Sequence, residues 1–142
     1  LDLVGELKMG GKVLSSMRIG KIGEYAVIKD ALHQGFNCYV PACDDAQVDL
    51  VIETQRSFKK IQVKTIQALK TGTSIEVRMK KYMNTGRVDI IAVYFLPKNI
   101  IAYYPYNNEL CINLALGVAN NNQEKKRDWF YKYERIPNII KE

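Results

Sequence analysis

In the stretch FKKIQVKTIQ, residues 58–67, Ile61, Val63 and Thr65 alternate with Lys60, Gln62 and Lys64. A strand with this alternation would put two ammonium groups and an amide on one face. The preceding run VDLVIE places Asp49, Val51 and Glu53 on one side in the same way. The connector at residues 54–57 has the length of a hairpin loop, and if Glu53 faces Phe58 the register sets Asp49 against Gln62. Asp49, Gln62 and Lys64 then lie within side-chain reach of one another. Hard divalent cations such as magnesium take oxygen ligands from a few carboxylates and carbonyls, with water completing the shell. Asp49, the Gln62 amide oxygen and a main-chain carbonyl near Val63 can supply that set. A cation held there would acidify a coordinated water and stabilise charge building on a phosphate. Lys64, two residues along the same face, is placed to orient the water or neutralise the phosphate.

The elements that must position these groups are legible in outline. Residues 22–34 form a helix closed by Gly35, with Tyr25, Ile28 and Leu32 at i, i+3 and i+7 as its inner face. Glu24, four residues before Ile28 and seven before Ala31, falls on or beside that face. Three runs, FNCYVPA, VDLVIE and KKIQVKTI, read as consecutive strands. Ile75, Val77 and Met79 alternate with Glu76, Arg78 and Lys80 in a half-exposed strand. VDIIAVYFL is nearly continuous apolar and reads as a central strand, with Asp89 in a structural role at its end. Pro97, Lys98 and Asn99 turn the chain into its hairpin partner IIAYYP, and LCINLAL reads as a further strand. A last helix is expected over residues 122–135, starting from an Asn cap. Tyr103, Tyr104 and Tyr106, at strand spacing, are read as core or interface residues.

Composition sets the bounds. A chain of 142 residues, 47% hydrophobic and 25% charged, fits one domain with an ordinary core. No segment approaches the about 20 apolar residues of a membrane span. Residues 1–20 mix Asp2, Glu6, Lys8, Lys12 and Arg18 into their apolar residues, unlike a secretory signal. Cys38, Cys43 and Cys111 are odd in number and lack paired CxxC spacing, so they are read as buried reduced thiols. An intracellular setting, cytoplasmic or nucleoid-associated, follows as the expectation. The net charge of +6 permits a polyanionic partner. Lys59, Lys60, Arg78, Lys80, Lys81 and Arg87 flank the proposed site and fit phosphate contacts, with Lys125, Lys126, Arg127 and Lys132 a further basic run. His33, late in the helix, is assigned no chemistry.

The order of a helix bearing Glu24, then VD at Val48 and Asp49, then QVK at Gln62–Lys64 resembles the PD-(D/E)XK nuclease superfamily. More narrowly, GFNCYVPACDDAQVDLVIE, KKIQVKT and TGRVDIIAVYFLPKNIIAYYPYN resemble the group I intron-associated homing endonucleases, over about residues 20–110. The resemblance implies an α/β restriction-endonuclease-like core, a central mixed sheet flanked by helices, within a single domain over 1–142 and with a C-terminal helical segment over about 122–142. It implies Asp49 as central metal ligand, Gln62 as the second, Lys64 as catalytic lysine and Glu24 as an auxiliary acid. Val48 stands where the name-giving proline would, and Gln62 replaces the usual acid, which removes one negative charge from the site. The expected activity is a magnesium-dependent (manganese possible) DNA endonuclease of homing type. Its partner is double-stranded DNA, not a membrane, and cutting both strands calls for a homodimer or homotetramer. Two alternatives stay open: a structure-selective, Holliday junction resolvase-like nuclease, and a non-catalytic DNA-binding module on the same scaffold. A generic interaction protein would show no salt-sensitive DNA affinity.

Overall fold

The computed structural model describes residues 8–9, 12–43, 47–118 and 127–137. Two short strands, β1 (Lys8–Met9) and β2 (Lys12–Val13), pair antiparallel ahead of helix α1 (Ser16–His33). The Ser15 side chain caps α1 by accepting from the Arg18 N–H at 3.2 Å. At the other end Gly35 adopts φ +92°, which lets the Phe36 N–H reach back to the Ala31 carbonyl. The helix therefore starts six residues before the expected Ile22, because the cap sits at Ser15 while Gly20 interrupts the apolar pattern.

The inner face of α1 also differs from the expected one. Ile19, Gly23, Val27 and Ala31 are buried, while Tyr25 and Leu32 are 67% and 57% exposed. Side-chain bulk points to Tyr25 and Leu32, but small residues at Gly23 and Ala31 let the helix axis approach the sheet closely. A Cβ built on Gly23 would stand 1.8 Å from Thr65 Oγ1 and 3.2 Å from Thr65 Cβ. That oxygen is buried with no hydrogen-bond partner, so the contact is steric rather than polar. Gly23→Ala is expected to destabilise the fold by about 1–3 kcal/mol in urea unfolding despite the better helix propensity of alanine. Thr65→Ala alone should be near neutral, and combined with Gly23→Ala it should restore much of the loss. Additive single effects would contradict this packing.

The remaining strands are β3 (Asn37–Tyr39), β4 (Leu50–Glu53), β5 (Phe58–Ile66), β6 (Ser74–Arg78), β7 (Ile90–Phe95), β8 (Ile100–Pro105) and β9 (Cys111–Ala115). Five of them form a mixed sheet in the order β3-β4-β5-β7-β8, parallel only between β5 and β7. β7 is an interior strand, as its unbroken apolar run implies, with β5 at the centre. Its residues alternate between two cores. Ile90 and Ala92 join Val27, Ala31, Leu50, Ile52, Ile61, Val63 and Tyr103 in the core under α1. Ile91, Val93 and Phe95 join Ile75, Val77, Met79, Tyr82, Ile112 and Leu114 on the opposite face. That face is covered by an antiparallel ribbon of β6 and β9, which form their own two-stranded sheet. The run LCINLAL is thus a strand of the ribbon.

Residues 119–126, which include the start of the expected C-terminal helix at 122, lie outside the described residues, as do residues 138–142. Over 127–137 the chain is not α-helical. Trp129 bridges to Ala115, and Phe130–Tyr133 makes one 3-10 turn whose Phe130 is buried in the ribbon-side core. The segment is held by tertiary bonds: Gln34 Oε1 accepts from the Ile136 N–H at 2.9 Å, and Gln34 Nε2 donates to the Glu134 carbonyl at 3.1 Å. The three cysteines are free, as expected, but Cys43 is exposed and Cys38 and Cys111 are only half-buried. Among the described residues no helix is long and apolar enough to cross a membrane.

Candidate active site

The β4–β5 hairpin has the register expected from its loop. Glu53 opposes Phe58, Val51 opposes Lys60 and Leu50 opposes Ile61, and the Thr54 N–H closes the loop on the Ser57 carbonyl at 2.8 Å. β4 begins at Leu50, so the pairing ends at Ile61 while β5 runs on to Ile66 beside β7. Asp49 occupies the fork between the diverging strands. Its N–H donates to the Ile61 carbonyl at 2.9 Å, and its Oδ2 accepts from the Val63 N–H at 2.8 Å. A carboxylate thus takes the place of the main-chain acceptor that β4 no longer offers. Asp89 plays the same part on the other edge of β5, accepting from the Lys60 N–H at 2.9 Å, which is the strand-end role expected of it.

Gln62 and Lys64 lie in parallel register with Ile91 and Val93, so they face the ribbon side of the sheet. There they stand in for apolar residues of the layer. The Gln62 Nε2 donates to the Val63 carbonyl at 3.4 Å, and its Oε1 is buried without a hydrogen-bond partner. A buried amide oxygen left unpaired costs about 1–3 kcal/mol unless something electropositive meets it.

Glu24 reaches the fork from α1. It is half-buried, with Lys21 Nζ at 3.5 Å. Burial first, and then the charge of neighbouring Asp49 and a hydrogen bond with it, hold the Glu24 carboxyl above the ordinary carboxylate range, while Lys21 opposes the shift. In the window between the ordinary and the raised value the folded protein keeps a proton that the unfolded chain has lost. Stability present at low pH therefore falls as pH rises through the raised value. With a chelator present, Glu24→Gln is expected to raise the melting temperature more at about pH 7 than at about pH 4. An equal change at both would contradict the coupling of the two carboxylates.

Lys64 is positioned by a residue that sequence reading left unassigned. Its Nζ donates to the Tyr82 hydroxyl at 3.1 Å and lies 4.6 Å from the centre of that ring. Tyr82 ends a 3-10 turn, Lys80–Tyr82, and is buried. Its only sequence signal is an aromatic inside the basic run KKY, which reads equally well as a surface turn.

The basic residues divide. Lys60 shares the face of Gln62 and Lys64, with its Nζ on the Gly86 carbonyl at 2.7 Å, whereas Lys59 alternates to the α1 side. Lys80, Lys81 and Arg87 are exposed around the same turn. Arg78 is exposed on the ribbon and bonds to Glu76 at 3.1 Å. Lys125 and Lys126 lie outside the described residues, while Arg127 is tied to Thr73 Oγ1 at 2.9 Å. Lys132 lies 5.4 Å from the Tyr133 ring.

The donors at the fork suit a hard cation. Among the described residues no three His, Cys, Asp or Glu side chains form a cluster. The fork instead offers the Asp49 carboxylate, the orphaned Gln62 oxygen and the Val63 carbonyl beside it, an all-oxygen set matched to magnesium or manganese rather than zinc.

The profile of the PD-(D/E)XK endonuclease family matches residues 14–136. Among solved structures, the bacterial homing endonuclease I-Ssp6803I superposes with a TM-score of 0.60 at 22% identity, covering 84% of this chain and 86% of its own. Hjc, a Holliday junction resolvase from Archaeoglobus fulgidus, gives a TM-score of 0.45 at 16% identity over 68% of this chain and 83% of its own. No curated protein matches. The mixed sheet is that of a restriction-endonuclease-like fold, and with a family match running from the start of α1 to the last anchored segment, this chain belongs to the PD-(D/E)XK endonuclease family.

Proposed function

We propose that the protein is a magnesium-dependent DNA endonuclease, of a site-specific homing type, that hydrolyses phosphodiester bonds at the β4–β5 fork. The observation that carries this reading is the unpaired Gln62 Oε1, buried next to the Val63 carbonyl with Asp49 fixed across the fork. Asp49 and Gln62, with the Val63 carbonyl, would hold the cation. When bound, it lowers the pKa of a coordinated water and offsets charge on the scissile phosphate. Lys64 presents an ammonium to the attacking water or to the phosphate oxygens, and Glu24 serves as an auxiliary acid that tunes the charge of the fork. Lys60, with its Nζ on Gly86, and the exposed Lys80, Lys81 and Arg87 around the same turn fit a polyanion, with Lys59 and Arg78 further contacts. Manganese suits the same oxygens.

The homing type is supported by the Q-x-K form of the motif and by the fold shared with a bacterial homing endonuclease. A single fork per chain makes a homodimer or homotetramer the assembly that cuts both strands of a duplex. The reading also places the protein inside the cell with its substrate. Incubating the protein with duplex plasmid, and separately with a four-way junction, in magnesium or manganese tests it. Cleavage of the duplex that stops on chelation is the expected result. Preference for the junction would favour the resolvase-like activity, and salt-sensitive binding with no cleavage in either metal would leave only a DNA-binding module.

A further inference from the structure

Resting on the reading above, we infer that Tyr82 is a positioning residue for Lys64, and that the turn carrying it joins the two arms of the site. A lysine ammonium on a four-carbon stem samples many rotamers, and fixing one costs side-chain entropy. No carboxylate among the described residues stands within ion-pair distance of Lys64 to fix it. Tyr82 does so without charge. Its hydroxyl accepts from Nζ at 3.1 Å, and the centre of its ring lies 4.6 Å from the same nitrogen. A neutral partner leaves the positive charge available to a phosphate, which a carboxylate would cancel.

The turn is itself secured. The Met79 N–H donates to the Leu110 carbonyl at 2.9 Å, the Tyr82 N–H returns to the Met79 carbonyl at 2.9 Å, and Thr85 Oγ1 donates to the Tyr82 carbonyl at 2.9 Å. Tyr82 is only 4% exposed and packs with Met79 and Val88 in the ribbon-side core. From the other direction, Gln47 Nε2, two residues before Asp49, donates to the Lys81 carbonyl at 3.4 Å. Lys60 Nζ binds Gly86 just beyond the turn. One short segment therefore touches both the Asp49 arm and the Lys64 arm. It ties the two arms together and carries the exposed Lys80 and Lys81, with Lys81 Nζ 5.9 Å from the centre of the Tyr82 ring.

The test uses the full chain and two variants with separate readouts. Tyr82→Phe keeps the ring and its packing and removes the hydroxyl. It should lower kcat for duplex cleavage by about tenfold and leave KM within about twofold. Tyr82→Leu also removes the ring and should lower kcat by about a hundredfold. The second readout needs no activity: with lysine side chains labelled with carbon-13, the Lys64 ε-methylene protons should be shifted away from those of the other lysines by the Tyr82 ring current. That shift should persist in Tyr82→Phe and vanish in Tyr82→Leu, with Lys64→Arg assigning the signal. An unshifted Lys64 signal in the wild type overturns the contact. A shifted signal with unchanged kcat in both folded variants overturns the positioning role while leaving the nuclease reading intact. A wild type that cuts no duplex removes the nuclease reading and this role together, whatever the spectrum shows.

Discussion

Asp49→Asn protein is expected to fold like the wild type and to cleave duplex DNA at least about 10³-fold more slowly in single-turnover assays. The choice of asparagine matters. The Asp49 Oδ2 accepts the Val63 N–H at the point where β4 parts from β5, so alanine would leave that donor without its partner and cost about 1–3 kcal/mol of stability. Asparagine keeps an acceptor oxygen in place and removes the charge. The site can hardly spare that charge, because Gln62 brings none of its own, and its loss should fall on kcat more than on DNA affinity. A variant that folds and cuts at the wild-type rate would show that the fork is only a structural junction.

The second large effect concerns Lys64. Lys64→Met retains the apolar stem beside Tyr82 and removes the ammonium, and it should reduce the cleavage rate by about 10²–10³-fold with DNA binding lowered only slightly. On the proposed reading, binding should survive on the exposed Lys80, Lys81 and Arg87, a sum of phosphate contacts that falls with salt. Lys64→Arg should recover little. The planar guanidinium is wider than an ammonium and cannot take the same place against the Tyr82 hydroxyl and ring edge. If Lys64→Met weakens DNA binding and cleavage by the same factor, the lysine is a phosphate anchor and the chemical step belongs elsewhere.

Much of the site was legible because a short hairpin carries its own register. Once residues 54–57 form the loop, the register follows with no reference to the rest of the fold, and Leu50 opposite Ile61 leaves Asp49 at the fork, where it meets Val63. The two-core burial of β7 also left a clear trace, since a strand packed on both faces must be apolar throughout. The inner face of α1 was misread because hydrophobic bulk does not measure how closely a helix approaches a sheet. Gly23 and Ala31 face Thr65 and its neighbours because they are small, and Tyr25 and Leu32 were left outside. Residues 127–137 look helical by composition, yet Gln34 and the ribbon edge at Ala115 claim their backbone groups. Propensity yields there to specific tertiary bonds. Tyr82 was invisible for a related reason: its partner Lys64 lies eighteen residues away across a ribbon strand, and nothing local marks the pairing.

The account stands on the fork as a cation site, and the most direct measurement is manganese binding without DNA. Titration followed by electron paramagnetic resonance of free Mn²⁺, on wild type and Asp49→Asn at equal concentration, reads the site with no contribution from cleavage. Saturable binding near one ion per chain in the wild type, weakened roughly tenfold or more in the variant, is the predicted result. Equal affinity in the two proteins, or no saturable binding in the wild type, would contradict it.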